Sequence, residues 1–320
     1  MFLIIVLLFF VLVLSAILYT KLTLGINKCS KHLIGKVVII TGANTGIGYE
    51  TAKDMAYRGA RVILACRNEQ RGLAAKNDII AETGNEDVHF RQLDLASLSS
   101  VRRFADDILK NEKQLNILIN NAGMIGSKYI KTEDGLLLDM QSNHLGPFLL
   151  TSILLPLLKS TGASRIINVS SLGHQFSKLD VNDLNMEKVP YNSRIAYGNT
   201  KLCNILMTVE LSERLKGTGV TVNSLHPGAV DTDIALEAKN HIPVLKCLTL
   251  LTPLLKTLTK TRWEGAQTTI YLAVSPEVEG VSGYYYSDCR QKSTSKMAQD
   301  RNLARKLWEV SERFVKINPI

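Results

Sequence analysis

The chain has 320 residues, 46% hydrophobic and 21% charged, with a formal net charge of +9. This balance excludes a disordered chain and is enough for one large α/β core. The excess charge does not point to nucleic acid: the basic residues gather after an N-terminal apolar run and in the C-terminal third, without interleaved aromatics, a distribution that suits an anionic membrane surface.

Residues 1–19 carry no charge and are dominated by Leu, Ile, Val and Phe. At ~1.5 Å rise per residue such a helix crosses a hydrocarbon core of ~30 Å, which predicts a transmembrane signal-anchor over 1–20. A cleaved signal peptide needs a basic start, a shorter apolar core and a small-residue cleavage site, and none is evident. Lys21, Lys28, Lys31 and Lys36 follow before the first acidic residue, Glu50. The positive-inside rule then places a basic linker, 21–35, and a catalytic domain, 36–320, on the cytosolic side, with the endoplasmic reticulum as the expected membrane. The five cysteines, Cys29, Cys66, Cys203, Cys247 and Cys289, are scattered without a C-x-x-C pair, as expected of free thiols in a reducing compartment.

Short β-branched runs at 37–41, 62–65, 88–93, 117–120, 166–169 and 220–225 alternate with helical patterns at 46–58, 69–82, 97–113, 140–159 and 195–216. Continuous apolar strands separated by helices predict a doubly wound, Rossmann-type parallel sheet covered on both faces. The alternation loosens over 233–262, around Pro243 and Pro253, before another helix begins near Trp263. An insertion at this point is a candidate substrate lid. Within it Leu245, Leu248, Leu251, Leu255 and Leu258 recur beside Lys246, Lys256 and Lys260. The pattern suits an amphipathic helix on a bilayer and a lid packed on the sheet equally.

The first strand runs into Thr41-Gly42-Ala43-Asn44-Thr45-Gly46-Ile47-Gly48, which opens a helix. Strand, glycine turn and helix N-terminus are the parts of a dinucleotide site: glycines admit the pyrophosphate to the backbone, and the helix end supplies partial positive charge. At the end of the second strand, where NAD-preferring enzymes place a carboxylate against the ribose, the chain reads Ala65-Cys66-Arg67. An arginine there favours a 2′-phosphate, hence NADP(H). Tyr197 and Lys201 lie four residues apart on one face of the long helix. A phenol near pKa ~10 is a poor base at neutral pH, and a fixed ammonium makes its phenolate accessible.

These motifs carry a family resemblance. Thr41-Gly42-x-x-x-Gly46-Ile47-Gly48, Asn120-Asn121-Ala122-Gly123, Asn143, Ser170-Ser171, Tyr197-x-x-x-Lys201 and Pro227-Gly228 occur in the order of the short-chain dehydrogenase/reductase family, which the chain resembles from about 36 to 286. Within that family it is most similar to membrane-anchored retinol dehydrogenases, through Leu64-Ala65-Cys66-Arg67, Asn143-His144-Leu145-Gly146, Gly265-Ala266-Gln267-Thr268 and Tyr286-Ser287-Asp288-Cys289. The resemblance implies that Tyr197 exchanges the proton with the substrate oxygen and Ser171 hydrogen-bonds that oxygen. Lys201 would bind the nicotinamide ribose and bias Tyr197, and Asn143 would hold a water linking Lys201 to solvent. Gly42, Asn44, Thr45, Gly46, Ile47 and Gly48 would form the pyrophosphate cradle, with Arg67 at the 2′-phosphate. Asp94 and Leu95 would flank the adenine, with Asn121, Ala122 and Gly123 as the wall beneath it. Pro227, Gly228, Val230 and Thr232 would form the turn that holds the carboxamide.

Pro147 departs from the histidine usual in the retinoid enzymes, on the expected substrate side. His174 and His226 have no carboxylate or cysteine at ligand spacing and are expected to be packing or rim residues, with no metal. The implied activity is interconversion of a lipophilic alcohol with its aldehyde or ketone, retinol and retinal first. A sterol or other lipid-carbonyl reductase would share the catalytic set, and a non-catalytic NADP(H)-binding membrane scaffold would show that set broken. The same resemblance allows a homodimer.

Overall fold

The computed structural model describes residue 15 and residues 22–126, 128–231 and 259–318. The expected anchor over 1–20, apart from residue 15, the lid between 232 and 258, and Thr232 lie outside the described residues. Among those described, no helix is long and apolar enough to cross a membrane.

The strands β1 (Val37–Thr41), β2 (Arg61–Cys66), β3 (Val88–Gln92), β4 (Ile117–Asn120), β5 (Arg165–Val169), β6 (Thr221–His226), β7 (Tyr285–Ser287) and β8 (Arg290–Gln291) form one sheet in the order β3-β2-β1-β4-β5-β6-β7-β8. All pairs are parallel except β7 with β8, an antiparallel edge. Strand order reverses between β1 and β4, so the crevice at their carboxyl ends is where a ligand of such a sheet binds.

Alternation along the strands divides the core in two. Val37 and Ile39 point into one apolar cluster, while Val38 and Ile40 point into the other. The first is covered by helices α3 (Leu98–Asn111), α4 (Gly146–Thr161), α5 (Ser193–Arg214) and α7 (Arg301–Val315); the second by α1 (Gly46–Tyr57), α2 (Glu69–Thr83) and α6 (Arg262–Val274). A strand buried on both faces has no polar side, which explains why β1 reads as the unbroken run Val-Val-Ile-Ile.

Three features differ from expectation. The helix expected over 140–159 is a short turn, Leu138–Met140, then a π-helical turn, Gln141–Leu145, and only then α4. Pro147 sits in the first turn of α4, where a missing N–H costs little. Strands β7 and β8 and helix α7 follow the last element expected by pattern, within the domain expected over 36–320. Helix α7 packs Trp308 edge-on against Phe148 of α4, with ring centroids 4.7 Å apart. His144 Nε2, in the π turn, lies 2.9 Å from Ser311 Oγ of α7. Burial holds His144 neutral, pushed down to about 3. The expected linker also packs on the domain: Asn27 N donates to Gln267 Oε1 (3.2 Å), and Arg58 donates to the carbonyls of Cys29 and Lys31.

Candidate active site

The glycine turn is built by close approach rather than by side chains. Gly42 and Gly46 take positive φ, +65° and +62°, open to glycine at little cost. A Cβ on Gly48 would overlap the Gly42 carbonyl oxygen and lie 2.5 Å from Asn121 Nδ2. The Thr41 hydroxyl accepts the amides of Asn121 and Ala122, both at 3.0 Å, and Asn121 Nδ2 donates back to the carbonyl of Thr41 at 2.9 Å. These bonds staple the end of β4 to the turn, so Asn121 is engaged with the cradle itself. No side chain caps α1, whose residue before the first turn is Thr45, and its first amides remain available to an anion.

Beside this turn lies a cavity of about 180 Å³, lined by Gly42, Asn44, Arg67, Asp94, Leu95, Ala122 and Gly123 among others. Seven of the expected cofactor residues therefore meet in one hollow, together with Cys66 and with Ala96, Met124 and Ser142, to which no motif pointed. Asp94 Oδ1 accepts the amide of Ala96 at 2.9 Å and so shapes the loop after β3. Arg67 is exposed at the rim, and among the described residues no carboxylate pairs with its guanidinium. Cys66 is buried and its thiol is pushed up to about 11, which makes it an inert wall.

At the carboxyl ends of β5 and β6 a second group of residues converges. Tyr197 and Lys201 share a face of α5, with Lys201 Nζ 5.5 Å from the Tyr197 ring centroid. Lys201 is 3% exposed and donates to the Val169 carbonyl at 3.1 Å. Burial alone lowers its ammonium to about 8. The phenol of Tyr197 is displaced in the direction opposite to expectation: burial raises it above its usual value, and the hydrogen bond with Ser171 only partly offsets this. The described residues thus favour the protonated phenol, the form that can donate. Ser171 Oγ also accepts the amide of Gly173 at 3.1 Å, and a Cβ on Gly173 would lie 3.3 Å from the Tyr197 ring, so glycine lets the serine and tyrosine meet.

Asn143, in the π turn, clamps Met124 through both groups: Oδ1 accepts the Met124 amide and Nδ2 donates to its carbonyl, each at 2.8 Å. Nδ2 also donates to Thr200 Oγ1 at 3.1 Å. The side chain is spent on joining the loop after β4 to α5, directly behind Lys201. His174 donates from Nδ1 to the Ser171 carbonyl at 2.7 Å and accepts the Ser295 amide on Nε2 at 3.3 Å. His226 accepts the Leu172 amide on Nδ1 at 3.2 Å, and burial, reinforced by the nearby Lys260 charge, pushes it down to about 4. Both histidines hold the Ser171 loop.

The turn after β6 carries Pro227, Gly228 (φ +95°) and the buried Val230. It is gripped by Lys260, whose main chain bridges Val230 and whose ammonium donates to the Pro227 carbonyl at 3.2 Å and to Asp288 Oδ1 at 2.6 Å.

A parallel sheet with a glycine cradle and uncapped helix end at its switch point, beside a buried lysine, a phenol and a serine, defines a nicotinamide-dependent oxidoreductase. The chain belongs to the short-chain dehydrogenase family, whose model matches residues 36–242. It is similar to retinol dehydrogenase 11 of Mus musculus, 46% identical over 290 residues that cover 91% of this chain and 89% of the relative. Retinol dehydrogenase 13 of Homo sapiens is 47% identical over 301 residues, 94% of this chain and 91% of that one. Among solved structures, an uncharacterized protein from Mycobacterium Paratuberculosis shares the fold with a TM-score of 0.73 at 32% identity, covering 91% of this chain and 97% of that one. Actinorhodin polyketide ketoreductase, solved with NADPH, has a TM-score of 0.63 at 24% identity over 78% of this chain and 94% of that one, a likeness of fold.

Proposed function

We propose that this protein is an NADP(H)-dependent oxidoreductase that interconverts a lipophilic alcohol and its aldehyde or ketone, with retinol and retinal as the first substrate pair. The observation that carries the reading is the convergence of Ser171 and Tyr197 over Gly173, set beside a buried Lys201 and the glycine cradle. The similarity to retinol dehydrogenases of Mus musculus and Homo sapiens supports the substrate class.

The nicotinamide, when bound, supplies or accepts the hydride. In the reductive direction Tyr197, a phenol that stays protonated at neutral pH, donates its proton to the substrate oxygen. Ser171 donates a hydrogen bond to the same oxygen and steadies the charge that develops there. Lys201, with its charge close to the phenol, stabilises the phenolate left behind. Asn143 keeps the loop after β4 against α5, so that Lys201 does not drift. Gly42, Gly46, Ile47 and Gly48 hold the pyrophosphate, with Asn44 and Thr45 in the same turn. Arg67 stands where a 2′-phosphate would be met, free of any carboxylate among the described residues. Asp94, Leu95, Asn121, Ala122 and Gly123 surround the adenosine half. Pro227, Gly228, Val230 and Thr232 hold the carboxamide.

The anchor over 1–20 and the lysines after it place the catalytic domain at the cytosolic face of the endoplasmic reticulum membrane, where a lipophilic substrate partitions. Protease added to sealed microsomes should digest the domain without detergent, and protection would reverse the orientation. The test of function is product analysis of membranes supplied with NADPH or NADH and a panel of retinal, medium-chain aldehydes and ketosteroids. Retinol formed with NADPH supports the reading, preference for a ketosteroid moves it to a sterol reductase, and no turnover of any member leaves the scaffold.

A further inference from the structure

We propose that Lys260, aimed by Asp288, is a positioning residue for the nicotinamide half of the cofactor. The inference rests on the reading of the Pro227–Val230 turn as the carboxamide site. It concerns residues outside that turn, which no motif for the cofactor includes.

Lys260 grips the turn from two sides. Its backbone runs parallel to Val230: Lys260 N donates to the Ala229 carbonyl at 2.7 Å, and Asp231 N donates to the Lys260 carbonyl at 3.0 Å. Its side chain then crosses Gly228, where a Cβ would lie 2.7 Å from both Cδ and Cε, and its ammonium reaches the Pro227 carbonyl. Gly228 is thus glycine for two reasons, its φ of +95° and the lysine stem lying over it. With the Pro227 carbonyl engaged, the peptide plane before Gly228 is fixed, and the bonded Ala229 carbonyl fixes the plane after Ala229, so Gly228 is held between two tethered planes. Glycine has the least conformational restraint of any residue, so without such bonds this turn would sample several conformations.

Asp288 aims the ammonium. Asp288 and Cys289 both take positive φ, +53° and +55°, a conformation that side-chain-bearing residues rarely adopt. The Cys289 amide donates to Thr268 Oγ1 at 3.2 Å, which holds this corner onto α6. The carboxylate so presented meets Lys260 Nζ at 2.6 Å in a half-buried pair. Burial opposes the Asp288 charge, but Lys260 together with the Gly25 amide and the Ser287 hydroxyl holds the carboxyl below its usual range. An exposed ion pair would contribute little. Here the ammonium divides its protons between a carboxylate and a main-chain carbonyl, and both acceptors are fixed by strand β7 and the turn after β6. The Asp288 main chain is also where the N-terminal linker sits: a Cβ on Gly25 would overlap the Asp288 carbonyl, and Gly25 N donates to Asp288 Oδ1 at 3.5 Å. The residues leading from the expected anchor therefore pack on the pair that holds the turn.

The test compares full-length wild type with Lys260→Met, Lys260→Arg, Asp288→Asn and the Lys260→Met, Asp288→Asn double variant. NADPH affinity is measured by fluorescence titration without substrate, alongside kcat and cofactor KM with retinal and the melting temperature without cofactor. Lys260→Met keeps the stem and removes the charge, so NADPH affinity should fall about tenfold, the size of one lost charge-assisted bond. The loss should appear in cofactor KM more than in kcat. Asp288→Asn should weaken binding less, the double variant should be no worse than Lys260→Met, and Lys260→Arg should restore most of the affinity. NADPH affinity within twofold of wild type in a Lys260→Met protein with an unchanged melting temperature would overturn the proposal, as would independent, additive losses for the two positions. A wild-type protein that binds no nicotinamide cofactor would instead overturn the functional reading, and the inference with it.

Discussion

The two ends of the cofactor crevice are built differently. The adenosine end is made of backbone: positive-φ glycines, an uncapped helix terminus, and Thr41 and Asn121 tying one strand end to another. The nicotinamide end is made of buried and half-buried side chains: Lys201 under Tyr197, His174 and His226 bracing the Ser171 loop, and Lys260 on the Pro227 carbonyl. The cradle itself, Gly42 to Gly48, carries no titrating side chain, although Cys66, Arg67 and Asp94 line the hollow beside it. A side-chain site holds charges at the expense of stability, and its function depends on their protonation.

The largest consequence falls at the side-chain end. Tyr197→Phe removes the proton donor and almost no apolar area, so turnover should fall ~10²–10⁴-fold, with NADPH affinity nearly unchanged. Steady-state rates beside a cofactor titration check this, and a variant keeping half of the wild-type rate would remove Tyr197 from the mechanism. Next comes the rim of the backbone cradle. Arg67→Asp should cut NADPH affinity about 10–100-fold and shift preference toward NADH, since it replaces a charge-assisted contact with repulsion. Unchanged NADPH affinity in a titration would make Arg67 a solvated surface charge.

The smallest shift, in stability rather than in rate, is the most specific to the contrast. A lysine held at about 8 by burial, against 10.5 for a free one, costs the fold roughly 3 kcal/mol at pH 7. Between these two values the unfolded chain keeps the proton more than the folded one, so stability rises with pH across about 8 to 10.5 and the penalty is complete below about 8. Lys201→Met should therefore abolish turnover while the cofactor-free protein melts no lower than wild type at pH 7, the lost bond to the Val169 carbonyl being offset. It should also lack the wild-type gain in melting temperature above pH 8 that comes from this lysine. A variant several degrees less stable at pH 7 would show that the ammonium is a structural support.

The same contrast explains what the sequence discloses. The cradle is local: Thr41 through Gly48 follow one strand directly, and glycine spacing reports the close approach that the structure shows at Gly48. Tyr197 and Lys201 are local too, one helical turn apart. The pull on their protons is not, since it comes from burial beneath neighbouring elements, and the expectation of a lowered phenol reversed for that reason. Lys260 and Asp288 lie 28 residues apart and meet only where the chain folds the turn after β6 against the β7–β8 corner, a juxtaposition that local spacing does not report. Strands β7 and β8 have three and two residues, too few to show a period. Helix α7 was legible, with Ala304, Leu307, Trp308, Ser311 and Val315 repeating at helical spacing behind the Asp300 cap, but the motif order it follows ends before it.

The central claim is that the Tyr197 site passes hydride from a nicotinamide to a lipophilic carbonyl. It is tested most directly by incubating membranes bearing the full chain with retinal and NADPH deuterated at nicotinamide C4, then measuring deuterium in the retinol by mass spectrometry. Label on the carbinol carbon from wild type, with none above background from Tyr197→Phe, is the expected result. Retinol formed equally by the Tyr197→Phe protein, or no deuterium transferred from either face of the cofactor to any carbonyl in the panel, would contradict it.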